Sequence, residues 1–376
     1  MKVDLITYNF LGSTHGFKFG DSTTLIGGQE IYTYDLASYL TELGHDVTII
    51  TTGQQNETLS YQGIIVKRIR LPLGSDHAIA FNFFFRRSVG DDVAIKHLML
   101  YLNSFPFAGK DMTGSYHGVT WDDPEMPFYK KRGLTFLNDA AIKRLDRIAA
   151  CDNVLLKYTE SKYPELASKI HYIPNYVRTD IFNSKTKTSE TLRLRFEGKK
   201  VLLCPRNLTR ARGVDIALEA FRMIAEHYPD LILVFVGDGP LRGWIQGSVK
   251  KYGLQDRVYV EGHKDHFEEM PSYYAASDIV LVPSRCSEGE SLSCLEAQSV
   301  GKPVVTTDTG GLADIVIDEY NGIVSKPDAP HIMEGIRRLL EDPKLRSKVR
   351  KNGFELIASK HTYRKWCESY RDFFRI

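Results

Sequence analysis

Apolar and polar positions along this chain follow two alternating rhythms. Short runs rich in β-branched residues give way to longer stretches in which apolar residues recur every three or four positions. Lys2–Thr7 predicts a first strand. Ile31, Leu36, Tyr39 and Leu40 predict a helix over Gly28–Leu43, ending near Gly44. Asp46–Thr51 predicts a second strand, Leu134–Ala149 a helix with a basic outer face, and His171–Pro174 a short strand. The polar stretch Asn183–Glu197 reads as the neighbourhood of a linker. Beyond it, Lys200–Pro205, Leu231–Val236, Arg257–Val260, Ile279–Val282 and Pro303–Thr306 predict buried strands. Val214–Tyr228, Pro240–Tyr252, Met270–Ala276 and Leu292–Val300 predict the helices between them, and Tyr363–Phe374 an aromatic one at the end. Such alternation implies parallel sheets covered on both faces. Two runs of it predict two doubly wound α/β domains, 1–185 and 186–360, followed by a helix in 361–376. In such sheets ligands gather at the carboxyl ends of the strands, so the loops that follow strands carry the information.

Composition narrows the class. The chain has 376 residues, enough for two ordinary domains, with a formal net charge of +2. Acidic and basic residues are interspersed, without the concentrated basic patch of a nucleic-acid binder. The cysteines are Cys151, Cys204, Cys286, Cys294 and Cys367; their number is odd and they form no CxxC pair, which suits a reducing cytoplasm. Asp4 and Asn9 break the first apolar run, which is too short and polar for a signal peptide. No apolar run approaches the ~20 residues that span a bilayer, so any membrane contact is expected from the surface.

Three loops could carry chemistry. Gly12–Gly28 follows the first strand and ends in Gly27-Gly28 at a helix start. Free amides there favour an anion, although a flexible turn with a glycine cap would look the same. Arg206-Asn-Leu-Thr-Arg-Ala-Arg212-Gly213 follows the strand Lys200–Pro205. Arginines in that position can grip phosphate with paired, planar hydrogen bonds; a solvated basic loop is the plainer alternative. Ser287-Glu288-Gly289-Glu290-Ser291-Leu292-Ser293-Cys294-Leu295-Glu296 follows Ile279–Val282, with a helix start between Glu288 and Glu296. The helix terminus suits a diphosphate and the flanking carboxylates suit sugar hydroxyls. Ser293 and Glu296 also have the S-x-x-E spacing of a capping box, so Glu296 could merely close one.

The last segment resembles the E-x7-E motif of retaining glycosyltransferase family 4, whose fold is called GT-B. Neighbouring segments resemble that family in the same order. They are Gly27-Gly28-Gln-Glu-Ile leading to Leu43-Gly44-His45-Asp46-Val47, and Ile173-Pro174-Asn175 with Asp180 and Phe182. Arg206 and Arg212, Val236-Gly237-Asp238-Gly239-Pro240 and Gly301-Lys-Pro-Val-Val follow. The resemblance implies two Rossmann-like domains facing across a cleft, the first for the acceptor and the second for a nucleotide-sugar. It implies that Glu288 contacts donor-sugar hydroxyls, that Glu296 holds the ribose, and that Arg206 and Arg212 neutralise the diphosphate. Amides near Ser291 and Leu292 and the Gly27-Gly28 turn would add to this, and His117 matches a histidine near the reacting sugar. The partners implied are a UDP- or GDP-sugar donor and a glycan, lipid-linked or other hydroxyl acceptor. No cofactor or metal is expected. The terminal helix of such proteins often crosses back to the first domain.

Two departures stand out. Arg212 replaces the family's usual lysine, and Glu290-Ser291 stands where Phe-Gly is frequent, placing an extra carboxylate, Glu290, near the donor. Phe81-Asn-Phe-Phe-Phe-Arg-Arg87 could dock on a lipid surface, pack in the core or wall the acceptor site. His263-x-x-His266 has a metal-like spacing but no companion ligand.

Overall fold

The computed structural model describes residues 1–11, 27–53, 55–70, 81–82, 84–90, 92–104, 111–118, 126–286 and 288–376. Most of the loop after the first strand, and Ser287, lie outside them. The chain divides into two units. One comprises the described residues of Met1–Trp121 and Glu125–Ile173 together with Cys367–Ile376; the other contains Pro174–Trp366.

In the first unit the strands are β1 (Lys2–Ile6), β2 (Asp46–Gly53), β3 (Glu57–Tyr61), β4 (Ile64–Arg70), β5 (Ile95–Leu98), β6 (Met112–Tyr116), β7 (Arg147–Ala150) and β8 (Ile170–Tyr172). They lie in the order β3-β4-β2-β1-β5-β6-β7-β8. All pairings are parallel except β3 with β4. The helices are α1 (Gly28–Glu42), α2 (Phe128–Arg144) and α3 (Val154–Lys162). The expected helix Leu134–Ala149 is therefore two elements. Apolar residues recur between Ala140 and Ala150 at a spacing that suits a helix, but the chain turns extended at Leu145, which is buried, and enters β7. Phe81 and Phe85 of the aromatic run are core residues, packed with Tyr8, Tyr101 and Tyr116.

The second unit contains α4 (Glu190–Arg195), then β9 (Lys200–Pro205), α5 (Val214–Ala225), β10 (Leu231–Val236), α6 (Arg242–Lys251), β11 (Val258–Val260), α7 (Met270–Ala276) and β12 (Ile279–Val282). It continues with α8 (Leu292–Ser299), β13 (Val304–Thr307), α9 (Leu312–Ile315), β14 (Ile323–Ser325), α10 (Ala329–Glu341) and α11 (Pro343–Lys360). The sheet order is β11-β10-β9-β12-β13-β14, all parallel. The order reverses between β9 and β12, and ligands of such sheets bind beyond that switch point. Every residue of β10 and β12 is buried, as strands covered by helices on both faces require.

The division departs from the expected boundary at 185. Residues 174–185 pack with the second unit: the Val177 amide donates to the His361 carbonyl, and Phe182 is in the same core as Leu203 and Val280. The last helix, α12 (Tyr363–Phe374), starts in the second unit, and the residues from Cys367 onward belong to the first. All five cysteines are buried and none is in a disulfide.

Candidate active site

Adjacency of β9 and β12 brings together two loops far apart in sequence. Arg206 leaves the end of β9, while Ser284 and Glu288 leave the end of β12. Nη2 of Arg206 donates to Oε1 and Oε2 of Glu288 at 2.7 and 2.5 Å and to Ser284 Oγ at 3.1 Å. Nη1 donates to Ser291 Oγ at 3.1 Å, and Ser284 Oγ donates to Glu288 Oε1 at 2.6 Å. Arg212 pairs with the same carboxylate from the other side. Burial would push the Glu288 carboxyl up, but the two guanidiniums outweigh it and hold it at about 2. The carboxylate in turn raises Arg206 against the lowering effect of burial. Arg206 and Glu288 are both buried, whereas the Arg212 side chain is 35% exposed.

Backbone geometry permits this crowding. Gly213 sits at φ 66°, and a Cβ there would fall 1.7 Å from the Pro283 carbonyl oxygen. Gly237 sits at φ 141°, where a Cβ would meet the Arg206 carbonyl oxygen at 2.2 Å. Between the two loops, Arg285 N donates to the Ala211 carbonyl at 3.0 Å, and its guanidinium pairs with Asp215 at 2.5 Å.

Ser291 is the N-cap of α8, so the first amides of that helix, beginning at Leu292, have no partner within it. The capping box is absent. Ser293 lies inside the helix, with its hydroxyl donating to the Pro205 carbonyl at 3.1 Å. Glu296 is free for another role: Tyr274 donates to its Oε2 at 2.6 Å, and His266 Nε2 lies 3.5 Å from Oε1. His266 is thereby tied to a carboxylate, and among the described residues no group of three or more His, Cys, Asp and Glu gathers as a metal site.

Residues 187–356 match the family described as Glycosyl transferases group 1, and residues 26–181 match Glycosyltransferase Family 4. The chain belongs to the GT-B glycosyltransferases of the family 4 type. Alpha-D-kanosaminyltransferase of Streptomyces kanamyceticus is 28% identical over 201 residues, covering 52% of this chain and 51% of that protein. The similarity thus spans about half the length of that relative. An uncharacterised glycosyltransferase of Methanocaldococcus jannaschii is 23% identical over 387 aligned positions, 96% of this chain and 95% of that one. Among solved structures, sucrose-phosphate synthase from Thermosynechococcus elongatus superposes with a TM-score of 0.81 at 20% identity, over 99% of this chain and 98% of that one. Anabaena HepE in complex with UDP-glucose gives 0.76 at 16% identity, over 99% of each chain.

The remaining sequence-derived candidates of this GT-B glycosyltransferase fall in different places. Glu290 departs from the expectation that its carboxylate faces a donor. That side chain is 0% exposed, and its Oε2 accepts from the Asn175 amide at 2.7 Å. Asn175 Nδ2 donates to the Glu290 carbonyl at 2.5 Å, and His361 Nδ1 to the Asn175 carbonyl at 2.8 Å. Glu290 thus fastens the approach to α8 onto the segment that opens the unit. Gly27 and Gly28, in the first unit, form the N-cap and first residue of α1. His117, also in the first unit, follows β6; burial pushes its imidazole down to about 4, against a hydrogen bond to the Met99 carbonyl. Its Nε2 is buried and has no partner among the described residues. Ser284 and Tyr274 were not marked by the sequence, and His266 was marked only for its metal-like spacing from His263. Of the two unmarked residues Ser284 alone had a signal, lying two residues beyond a strand end.

Proposed function

We propose that this chain is a retaining glycosyltransferase moving a hexose-type sugar from a UDP- or GDP-sugar onto a glycan, lipid-linked or other hydroxyl acceptor. The observation that carries this reading is the Arg206–Glu288–Arg212 cluster, with its Arg206–Glu288 pair buried, beside the α8 N-terminus at the switch point of the second sheet. Transfer breaks the anomeric C–O bond, and negative charge grows on the departing diphosphate. Cations and amide dipoles fixed in advance stabilise that charge without reorganising. Arg206 is held by four hydrogen bonds, so it is the fixed donor. Arg212, more exposed, can turn from Glu288 to a phosphate. Ionised Glu288 accepts from sugar hydroxyls, and Glu296, braced by Tyr274, accepts from the ribose. Amides at Ser291 and Leu292, and those of the Gly27-Gly28 turn, add donors for phosphate. His117, neutral with an unoccupied Nε2, accepts from a substrate hydroxyl.

The UDP-glucose complex of HepE supports a nucleotide-sugar donor. No cofactor or metal enters this scheme. The reading extends to a cytoplasmic protein that meets an anionic bilayer peripherally. No helix among the described residues is long and apolar enough to cross one. The surface suited to that contact is on α2, not the Phe81–Arg87 run, whose Phe81 and Phe85 are core residues. Phe128, Tyr129 and Phe136 are 76%, 71% and 56% exposed, and Arg132 shares their face of the helix.

The deciding experiment incubates the protein with UDP-, GDP- and ADP-sugars, with and without a chelator, and follows nucleotide release. Slow release from one α-linked donor, undiminished by chelator, is expected, with an α-linked product by NMR once an acceptor is found. A β product would reject retention. Loss of release restored only by metal would reject the arginine scheme, and binding without release would indicate a non-catalytic nucleotide-sugar binder.

A further inference from the structure

Thr113, Ser115 and His117 are alternate residues on β6 and just beyond it, so they share one face of the sheet. The His117 ring stands edge-on to Tyr32 of α1, with centroids 4.7 Å apart and planes at 79°. The Met99 carbonyl anchors the imidazole through one hydrogen bond, and the Tyr32 ring limits its swing about that anchor. Tyr32 is itself held from behind. Its hydroxyl donates to the Tyr370 hydroxyl at 3.0 Å, which lies 2.8 Å from Ser115 Oγ. Ser115 Oγ is 2.8 Å from His97 Nε2, and His97 Nδ1 is 2.8 Å from Thr113 Oγ1. From Tyr32 to Thr113 every residue of this chain of contacts is buried, and His117 is half-buried. Tyr32 donates to Tyr370; the Tyr370–Ser115 pair and both His97 contacts can be satisfied with either His97 tautomer. A buried polar network satisfied throughout is rigid. Tyr370 is its junction, and it comes from α12, at the end of the chain.

We infer that Tyr370 is a positioning residue for His117, acting through the Tyr32 ring. The inference rests on the reading that His117 meets substrate. The Tyr370 hydroxyl fixes where the Tyr32 ring lies, and the ring fixes the imidazole whose Nε2 has no partner among the described residues. The Tyr370 ring packs against His97, Phe373 and Phe374, so Tyr370→Phe keeps the packing and deletes only the junction.

The test uses the full-length protein and the donor found in the release assay. Tyr370→Phe is made alone and in a His117→Ala background, and histidine-labelled protein is followed by NMR without ligand. Loss of positioning predicts a fall in kcat on the order of tenfold, with donor KM within about twofold and a shifted or broadened His117 signal. In the His117→Ala background the same substitution should cost nothing further. Tyr32→Phe breaks the junction from the other side and should reproduce the loss, which keeps the test open if Tyr370→Phe folds poorly. A wild-type kcat in Tyr370→Phe, an unmoved His117 signal, or an undiminished loss without His117 overturns the proposal while leaving the His117 reading intact. A His117→Ala variant with full kcat overturns that reading, and the proposal with it.

Discussion

Glu288 is an ionised carboxylate enclosed by two guanidiniums and a hydroxyl, and its protonation has a defined cost. Its folded value of about 2 is below the ordinary 4.5, so its stabilising effect is complete above about pH 4.5 and disappears as pH falls through 2. Glu288→Gln keeps the shape and removes the charge. If the carboxylate serves the flattening sugar ring, kcat should fall by about 10²-fold or more. Glu296→Gln should mainly raise donor KM and weaken binding of free nucleotide, because ribose contacts change little along the reaction. Steady-state kinetics beside calorimetry of nucleotide binding separates the two, and unchanged nucleotide affinity in Glu296→Gln would remove the ribose assignment. The pairing of the Arg206 loop with the Glu288 loop was legible, since both follow strands and ligands collect there. The partners that hold the glutamates were not. Tyr274 and His266 reach Glu296 from about twenty and thirty residues upstream, contacts that only the packed fold creates. The direction of Glu290 was equally hidden, because Asn175 meets it across a sequence separation of 115 residues.

Elements with a strong rhythm were read nearly to the residue, among them β9, β10, α7, β12 and α12. Less legible were β3, where exposed and half-buried residues alternate, β4, which has no long apolar run, and α10 and α11, whose outer faces are densely charged. The α2–β7 junction was merged because Ile142, Leu145 and Ile148 keep a three-residue spacing that reads as one helix face across the break. At the start of α5 the controlling feature is Gly213. Gly213→Ala combines a left-handed backbone with a collision against Pro283, so a loss of about 3 kcal/mol is expected from denaturant unfolding, with weaker nucleotide binding as Arg212 is displaced. A loss under about 1 kcal/mol would show that the loop relaxes freely. For α2, vesicle flotation should recover the protein with phosphatidylglycerol and not with phosphatidylcholine alone. Replacing Phe128, Tyr129 and Phe136 by serine should abolish recovery, and equal recovery with neutral lipid would contradict the anionic-surface reading.

For the whole molecule, acid should act first on the first unit. Burial holds His97 at about 3 and His117 at about 4, both below the ordinary 6.5. The unfolded chain takes up those protons below pH 6.5 and the folded one does not, so stability drops as pH falls from 6.5 toward 4. Asp4, raised by burial to about 6, opposes one of the two histidines over the lower part of that range. The net cost is about 1.4 kcal/mol per pH unit there. In the second unit His263 and His361 are also lowered by burial, while Glu288 stays ionised. Hydrogen exchange during urea unfolding at pH 6.5, 5.5 and 4.5 should show peptides of the first unit losing protection ahead of those of the second. Parallel loss in both would refute the assignment. The division of the chain has a temporal consequence as well. Translation proceeds from the first residue to the last, and domains generally fold as they emerge. Here Tyr370, Phe373 and Phe374 belong to the unit that begins at Met1. During synthesis the His97–Ser115 face of the β1–β8 sheet is therefore without its aromatic cover until the whole second unit has been made and α12 has followed it.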